Sequence, residues 1–395
     1  MSEHRLIAAC AFGLEALVRQ EIEDLGLEVH KVKDGKVHFF GDDEAIIQTN
    51  LWLRTADRVG IELDRFEARS FDELFDAVHA YDWADILPRD AFIHINARSH
   101  KSKLYSLRDC QKIVKKAIIK KLQQHYAQET FSEDGPRFPI EIAILNDEAS
   151  LILDTTGASL HKRGYRTDAG QAPLKETLAA ALVKLSRWEW PRMLADPFCG
   201  SGTILIEAAL IAENRAPGLQ RRFQAESWPW IEKKHWQKSR QQARQLIRPI
   251  EDMRLLGSDT DGFVLKKARA NARQAGVEEK IHFQQAQAED FRSRKKYGCM
   301  ISNPPYGQRL SEQKELNALY DALKDSWKAL DSWSFFVLSA DPEFAKRMDR
   351  RASKRRKLFN GKIPCQYYQF FGPFPPRDPA QIAKEAEKYK YTPRK

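Results

Sequence analysis

Apolar residues recur along this chain at two spacings, and the places where one gives way to the other mark its elements. Leu6 to Cys10 is an apolar run of strand length, after which Leu14, Leu17, Val18, Ile22 and Leu25 follow at the spacing of an amphipathic helix over 13–25. Gly26 stops that helix. Val29–Val32 and Lys36–Phe40 then flank Asp34-Gly35, a hairpin signal, and residues 42–50 read as a second helix. Strand, helix, hairpin, helix and strand in that order predict a small ferredoxin-like unit over about the first 65 residues. The pattern then resumes with a helix over 71–79, a strand over 91–97 and a long lysine-dense helix over 106–124 whose apolar face is Ile113, Val114, Ala117, Ile118 and Leu122. Strands over 140–145 and 150–154 close this second module.

The second half alternates differently. A helical run at Leu174, Leu178, Leu182 and Leu185, starting behind Pro173, leads into Met193-Leu194-Ala195, and strands over 254–259, 281–286, 297–303 and 334–339 alternate with helices over 263–276 and 314–330. Parallel strands joined by helices need right-handed crossovers, so this half predicts a doubly wound α/β sheet. Asn360-Gly361 predicts a closing hairpin that adds an antiparallel edge. The stretch 214–249, with Trp228, Trp230 and Trp236, reads as an insertion; its tryptophans either pack it onto its own domain or stack on bases.

Composition narrows the class. With 395 residues, 42% hydrophobic and 30% charged, the chain holds two or three cores and is not disordered in bulk. A net charge of +10 favours a polyanionic partner, although it is also compatible with simple solubility. Five scattered cysteines show neither zinc nor disulfide spacing, and neither a signal sequence nor a long apolar run occurs. A cytoplasmic protein without a metal or a membrane span is therefore expected. Two basic segments are candidates for RNA contact: the strand-end loop with Arg98, Lys101 and Lys103, and the run His161-Lys162-Arg163-Gly164-Tyr165-Arg166. The second reads equally well as a polar hinge between domains. A further basic run occupies 346–357.

The chemistry concentrates in two stretches. Asp196-Pro197-Phe198-Cys199-Gly200-Ser201-Gly202-Thr203 has the form of a strand, a glycine turn and a helix start, where backbone can approach a ligand closely and free N–H groups are offered. Asp259 ends the next strand, beside Thr260, placed to accept hydrogen bonds from the ribose of an adenosine cofactor. A nicotinamide dinucleotide would use a similar layout, but the full G-x-G-x-x-G fingerprint and a Walker lysine are both missing. A phosphate-free cofactor with a cationic methionine end, S-adenosylmethionine, fits better, with Asp196 attracting its ammonium. Asn303-Pro304-Pro305-Tyr306 supplies the second half of the reaction. An exocyclic base amine is a poor nucleophile; the Asn303 side-chain oxygen and the Pro304 carbonyl can accept its N–H bonds and turn the lone pair to the methyl carbon. Pro304 and Pro305 preorganise these acceptors, and Tyr306 stacks on the extruded base.

These two stretches resemble class I methyltransferases acting on base amines. Leu153-Asp154-Thr155-Thr156-Gly157, Leu160 through Arg166 and Ala172-Pro173-Leu174-Lys175-Glu176 resemble the linker and first catalytic helix of the THUMP-containing RNA guanine-N2 methyltransferases. The likeness covers nearly the whole chain. It implies a Rossmann-like class I methyltransferase domain with a doubly wound sheet, preceded by an α+β ferredoxin-like plus THUMP region. The corresponding division is 1–65, 66–166 and 167–375, with a frayed tail over 376–395. The resemblance further implies S-adenosylmethionine as cofactor, a guanine in 23S rRNA or a large-subunit precursor as substrate, and N2-methylguanosine as product. A tRNA guanine and an adenine N6 are alternatives, because the same tetrapeptide serves each amine. So is an RNA-binding assembly factor with a vestigial cofactor site. Gln287 departs from the pattern: many relatives carry an acid there that touches the adenine amine, a bond the Gln287 amide oxygen can still accept. The second catalytic domain fused to the enzyme in some bacteria is absent from this sequence.

Overall fold

The computed structural model describes residues 3–166, 174–305 and 310–376. The chain opens with β1 (His4–Cys10), α1 (Glu15–Asp24), β2 (Val29–Lys33), β3 (Lys36–Gly41), α2 (Asp43–Trp52) and β4 (Ala56–Glu67). Asp34 and Gly35 both take positive φ, 45° and 76°, the turn whose twist matches a tight hairpin. The Asp42 carboxylate accepts the Ala45 N–H and caps α2. Then follow α3 (Phe71–Ala80), β5 (Phe92–His100), α4 (Leu107–Tyr126), β6 (Arg137–Leu145) and β7 (Glu148–Asp154).

These strands form one sheet in the order β2-β3-β1-β4-β7-β6-β5. The twelve-residue β4 joins the two modules, pairing with β1 through residues 56–61 and with β7 through 60–67. The expected division after residue 65 falls inside this strand, and one apolar core runs beneath both modules. Arg98, expected in a loop, lies within β5, where its guanidinium pairs with Glu141.

The second half comprises α5 (Glu176–Ser186), β8 (Leu194–Asp196), α6 (Thr203–Ala212), α7 (Lys233–Gln245), β9 (Leu255–Asp259), α8 (Gly262–Gln274) and β10 (Ile281–Gln285). It ends with β11 (Cys299–Ser302), α9 (Leu310–Lys328), β12 (Ser334–Ser339), α10 (Phe344–Arg347), β13 (Lys354–Asn360) and β14 (Ile363–Phe370). Strand order is β10-β9-β8-β11-β12-β14-β13, parallel from β10 to β12 and antiparallel beyond. Connections run outward one way from β8 and the other way from β11, so the switch point lies between these two strands. Ligands in such sheets bind at the strands' carboxyl ends at that crevice. The basic run 346–357 covers the end of α10, the connection 348–353 with Arg350 and Arg351, and the start of the edge strand β13.

The insertion packs its apolar side on the other half of the chain, while Gln220 still donates to the Gln274 carbonyl of its own domain at 3.0 Å. Trp228 and Trp236 are buried in the core of the N-terminal sheet. Trp228 stacks on Phe138 at 5.5 Å and donates to the Arg137 carbonyl at 3.1 Å. Base stacking is closed to both rings. The helix start at Pro173 and the tail beyond residue 376 lie outside the described residues. None of the described helices is long and apolar enough to cross a membrane.

Candidate active site

The two chemical stretches meet at the switch point. Asp196 ends β8, Asp259 ends β9 beside it, and Asn303 follows the last residue of β11 on the other side. The Ser302 hydroxyl donates to Asp196 Oδ1 at 2.9 Å, tying the two motif strands together inside the sheet. Above them opens a cleft of about 1000 Å³ whose walls include Asp196, Phe198, Gly200, Thr203, Asp259, Thr260, Gln287, Asn303 and Pro305. Gly202 supports the loop from beneath and Pro304 is buried next to Asn303. Tyr306 lies outside the described residues.

The glycine turn has a definite physical basis. Asp259 Oδ2 accepts the Gly200 N–H at 2.9 Å, and Oδ1 accepts the Asp261 N–H at 3.0 Å. Each oxygen keeps an acceptor position, because an ionised carboxylate offers about four. Gly200 and Gly202 take φ of +50° and +81°, a region costly to side-chain-bearing residues. Their surroundings differ. A Cβ on Gly202 would lie 2.9 Å from Phe283 Cζ and 3.3 Å from Ala268 Cβ, whereas one on Gly200 meets nothing within 4 Å. Gly202→Ala is therefore expected to cost about 1–3 kcal/mol of stability from strain and overpacking, seen as a lowered Tm. Gly200→Ala should spare more of the Tm and act chiefly on ligand affinity; equal Tm losses in both variants would count against this division.

Asp196 is buried, and burial pushes its carboxyl up to about 7, while the hydrogen bonds from Ser302 and the Phe198 N–H pull the other way. Phe198 packs partly on the apolar cluster beneath β11 and β12. Thr203 opens α6, and its hydroxyl accepts a hydrogen bond from Arg166 at 2.8 Å.

Two of the expected RNA contacts are elsewhere than the sequence suggested. Arg163 is buried, pairs with Glu207 of α6 at 3.5 Å and donates to the carbonyls of Leu160 and Arg54. It cannot meet an RNA phosphate there. Tyr165 is buried too, its hydroxyl donating to Glu207 at 3.0 Å, so the ring is unavailable for stacking. Arg166 enters the cleft wall. The segment is thus the polar junction between the halves. Lys101, Lys103 and Lys162 are exposed, as is Arg98 apart from its pairing with Glu141.

Sequence reasoning missed Phe263, Lys267 and Asn271 on α8. Phe263 is 64% exposed, lines the cleft next to Asp259, and carries the Lys267 ammonium 5.1 Å from its ring centre. An aromatic four residues beyond the acidic strand end, at the start of the next helix, was the available signal. Among the described residues no group of three or more His, Cys, Asp or Glu side chains is arranged to hold a metal ion.

A family model described as "RMKL-like, methyltransferase domain" matches residues 163–369. The chain belongs to this methyltransferase family. Models for the "RlmL ferredoxin-like domain" and the "THUMP domain" match residues 5–60 and 68–154, completing the RlmL-type arrangement. Among relatives of this family, the "Putative RNA methyltransferase YpsC" of Bacillus subtilis is 44% identical over 95% of this chain and 98% of its own. The solved structure of SMU.472, described as "a putative methyltransferase complexed with SAH", is 42% identical, covers 95% of this chain and 100% of its own, and superposes with a TM-score of 0.90. A Listeria monocytogenes protein described as "a predicted N6-adenine-specific DNA methylase" is 44% identical over 94% of this chain and 97% of its own, with a TM-score of 0.89. The Rossmann-like catalytic domain preceded by ferredoxin-like and THUMP units is therefore the fold of this chain.

Proposed function

We propose that this methyltransferase transfers a methyl group to the exocyclic N2 of a guanine in 23S rRNA or a large-subunit precursor. The placement of Asn303-Pro304-Pro305 at the carboxyl end of β11, beside the glycine turn after β8, carries methylation of a base amine, and the RlmL-type domain arrangement favours guanine N2 in large-subunit RNA. The cofactor is S-adenosylmethionine, and the cleft fits it. Its volume is ample for a nucleoside with an amino-acid side arm, the space at Gly200 is open, and acids stand at the ends of both β8 and β9. When bound, it supplies an electrophilic methyl group.

The chain's own residues do the rest. Asp259 accepts ribose hydroxyls, Thr260 and Gln287 edge the adenine, and Phe263 offers it an apolar face. Asp196, Phe198, Gly200, Gly202 and Thr203 shape the methionine side. Asn303 Oδ1 and the Pro304 carbonyl accept the two N–H bonds of the target amine, Pro305 holds the turn, and Tyr306 stacks on the base. No nucleophilic side chain is required, and positioning carries the catalysis. RNA reaches the cleft along the exposed cations Arg98, Lys101, Lys103 and Lys162. We divide the chain into 1–65, 66–166 and 167–375, the first two units sharing β4 and one core, and place the protein in the cytoplasm.

Adenine N6 is the second reading, favoured by the description of the Listeria relative. Labelled cofactor incubated with unmodified 23S rRNA, followed by nucleoside analysis, separates the two. Label in N2-methylguanosine supports the main reading, and label confined to N6-methyladenosine removes it. RNA binding has its own test. Replacing Lys101, Lys103 and Lys162 with Ala should flatten the salt dependence by about 0.7–0.9 in log–log slope for each phosphate no longer neutralised. An unchanged slope would place the RNA path elsewhere.

Cofactor affinity should also depend on pH through Asp196. A bound ammonium favours the ionised carboxylate, so binding releases a proton wherever the empty site holds one. With the empty-site value raised to about 7, affinity is expected to rise as pH increases through neutrality and then level off. The Asp196→Asn variant should bind more weakly and lose this slope; a slope that persists in the variant assigns it to another group.

A further inference from the structure

Arg166 stands at an unusual place for a residue of a basic linker. It closes the described part of the N-terminal half, yet its side chain is only 15% exposed and forms part of the cofactor cleft's wall. Nη2 donates to Thr203 Oγ1 at 2.8 Å and to the Leu174 carbonyl at 3.1 Å, which fixes the guanidinium against the start of α6. Nε forms an ion pair with the buried Glu176 Oε1 at 3.4 Å, without a hydrogen bond. Among the described residues, Nη1 donates to no protein group. The arginine is held in place, and part of its donor capacity remains unused.

Charge across the cleft is unevenly placed. Its described walls carry three acids, Asp196, Asp259 and Asp261, and two cations, Arg166 and Lys267. Lys267 lies over the Phe263 ring, on the β9 side with Asp259 and Thr260. Arg166 lies on the other side, with Thr203 and Leu174. The cofactor has a matching division: a neutral adenosine at one end and an amino acid at the other, whose ammonium suits an acid and whose carboxylate suits a guanidinium. The first turn of α6 adds free N–H groups and the positive end of its dipole beside Arg166.

We propose that Arg166 binds the α-carboxylate of S-adenosylmethionine, with Asp196 taking the ammonium. This rests on the cofactor reading above and assigns the amino-acid end to the β8–α6 side of the cleft. It also gives the junction a purpose: the segment whose Arg163 and Tyr165 grip α6 delivers a cofactor ligand three residues and one residue further on, respectively.

The test compares ligands within one variant by calorimetry on the full chain. S-adenosylhomocysteine carries the carboxylate and decarboxylated S-adenosylmethionine lacks only that group from the cofactor. Arg166→Met should weaken S-adenosylhomocysteine about 10- to 100-fold, the scale of a hydrogen bond to a charged group, and leave the decarboxylated ligand within about threefold. Arg166→Lys, which keeps the charge but not the fork, should fall between. Equal weakening of both ligands would make Arg166 a wall residue only and overturn the assignment, as would no weakening at all. Wild type that binds neither ligand removes the cofactor reading itself, a result distinguishable from both.

Discussion

Asn303→Ala is expected to lower methyl transfer about 10²- to 10³-fold, the scale set by removing one preorganised polar group at the reacting centre. The side-chain oxygen is asked to act where charge develops: as the amine attacks the methyl carbon it becomes cationic, and an acceptor on its N–H gains strength. That interaction is stronger in the transition state than in the ground state, so kcat should fall more than RNA affinity. Asn303 also lines the cofactor cleft, so a several-fold loss in cofactor affinity accompanies the change. Single-turnover rates at saturating cofactor separate the two effects. Full activity under those conditions would shift the burden of holding the amine to the Pro304 carbonyl alone. Asn303→Asp is a sharper variant, because its carboxylate keeps an acceptor while adding a charge that favours the cationic nitrogen. It should retain more activity than the alanine.

The site was readable because its signals are local. A glycine turn after an apolar run and an Asn-Pro-Pro turn after another each declare a strand end within a few residues, and a parallel sheet brings such ends to one edge. The hairpins at Asp34-Gly35 and Asn360-Gly361 were readable for the same reason: the turn residues state their own backbone geometry. What was not readable depends on partners far along the chain. Arg163 and Tyr165 sit in a basic run that looks solvated, yet the acid that buries them is Glu207, more than forty residues on. Trp228 finds Phe138 ninety residues earlier, across the junction between halves. β4 reads as the end of one module, and only its length, enough to pair on both sides, reveals that it begins the next. Phe263 was hidden differently, since an aromatic at a helix start reads as core until its exposure is seen.

The junction carries the second large expectation. Glu207 is wholly buried on α6, accepts the Tyr165 hydroxyl and faces Arg163, which is itself buried. Arg54 belongs to the same cluster: burial pushes its guanidinium down to about 10, while Glu207 and then Glu21 hold it up. Its Nη2 donates to the Arg215 carbonyl at 2.6 Å. Taking the Glu207 charge away leaves two buried guanidiniums with Glu21 near Arg54 and Glu176 near Arg163 as the remaining counter-charges, and breaking a buried pair in this way costs about 3–5 kcal/mol. Glu207→Gln should therefore lower the Tm strongly even though its amide oxygen can still accept from Tyr165. Tyr165→Phe, which removes one hydrogen bond and no charge, should cost nearer 1 kcal/mol. Because the cluster joins the linker to the helix that follows the glycine turn, the loss should extend beyond global stability. Amide exchange in α6 is expected to quicken and cofactor affinity to weaken in Glu207→Gln. A normal Tm in this variant would mean that water or the backbone carbonyls around Arg163 already satisfy the cations. A lowered Tm with unchanged exchange in α6 would confine the cluster to holding the halves together, and the cofactor helix would then owe its position to the apolar packing of Leu205, Ile206 and Ala209 alone.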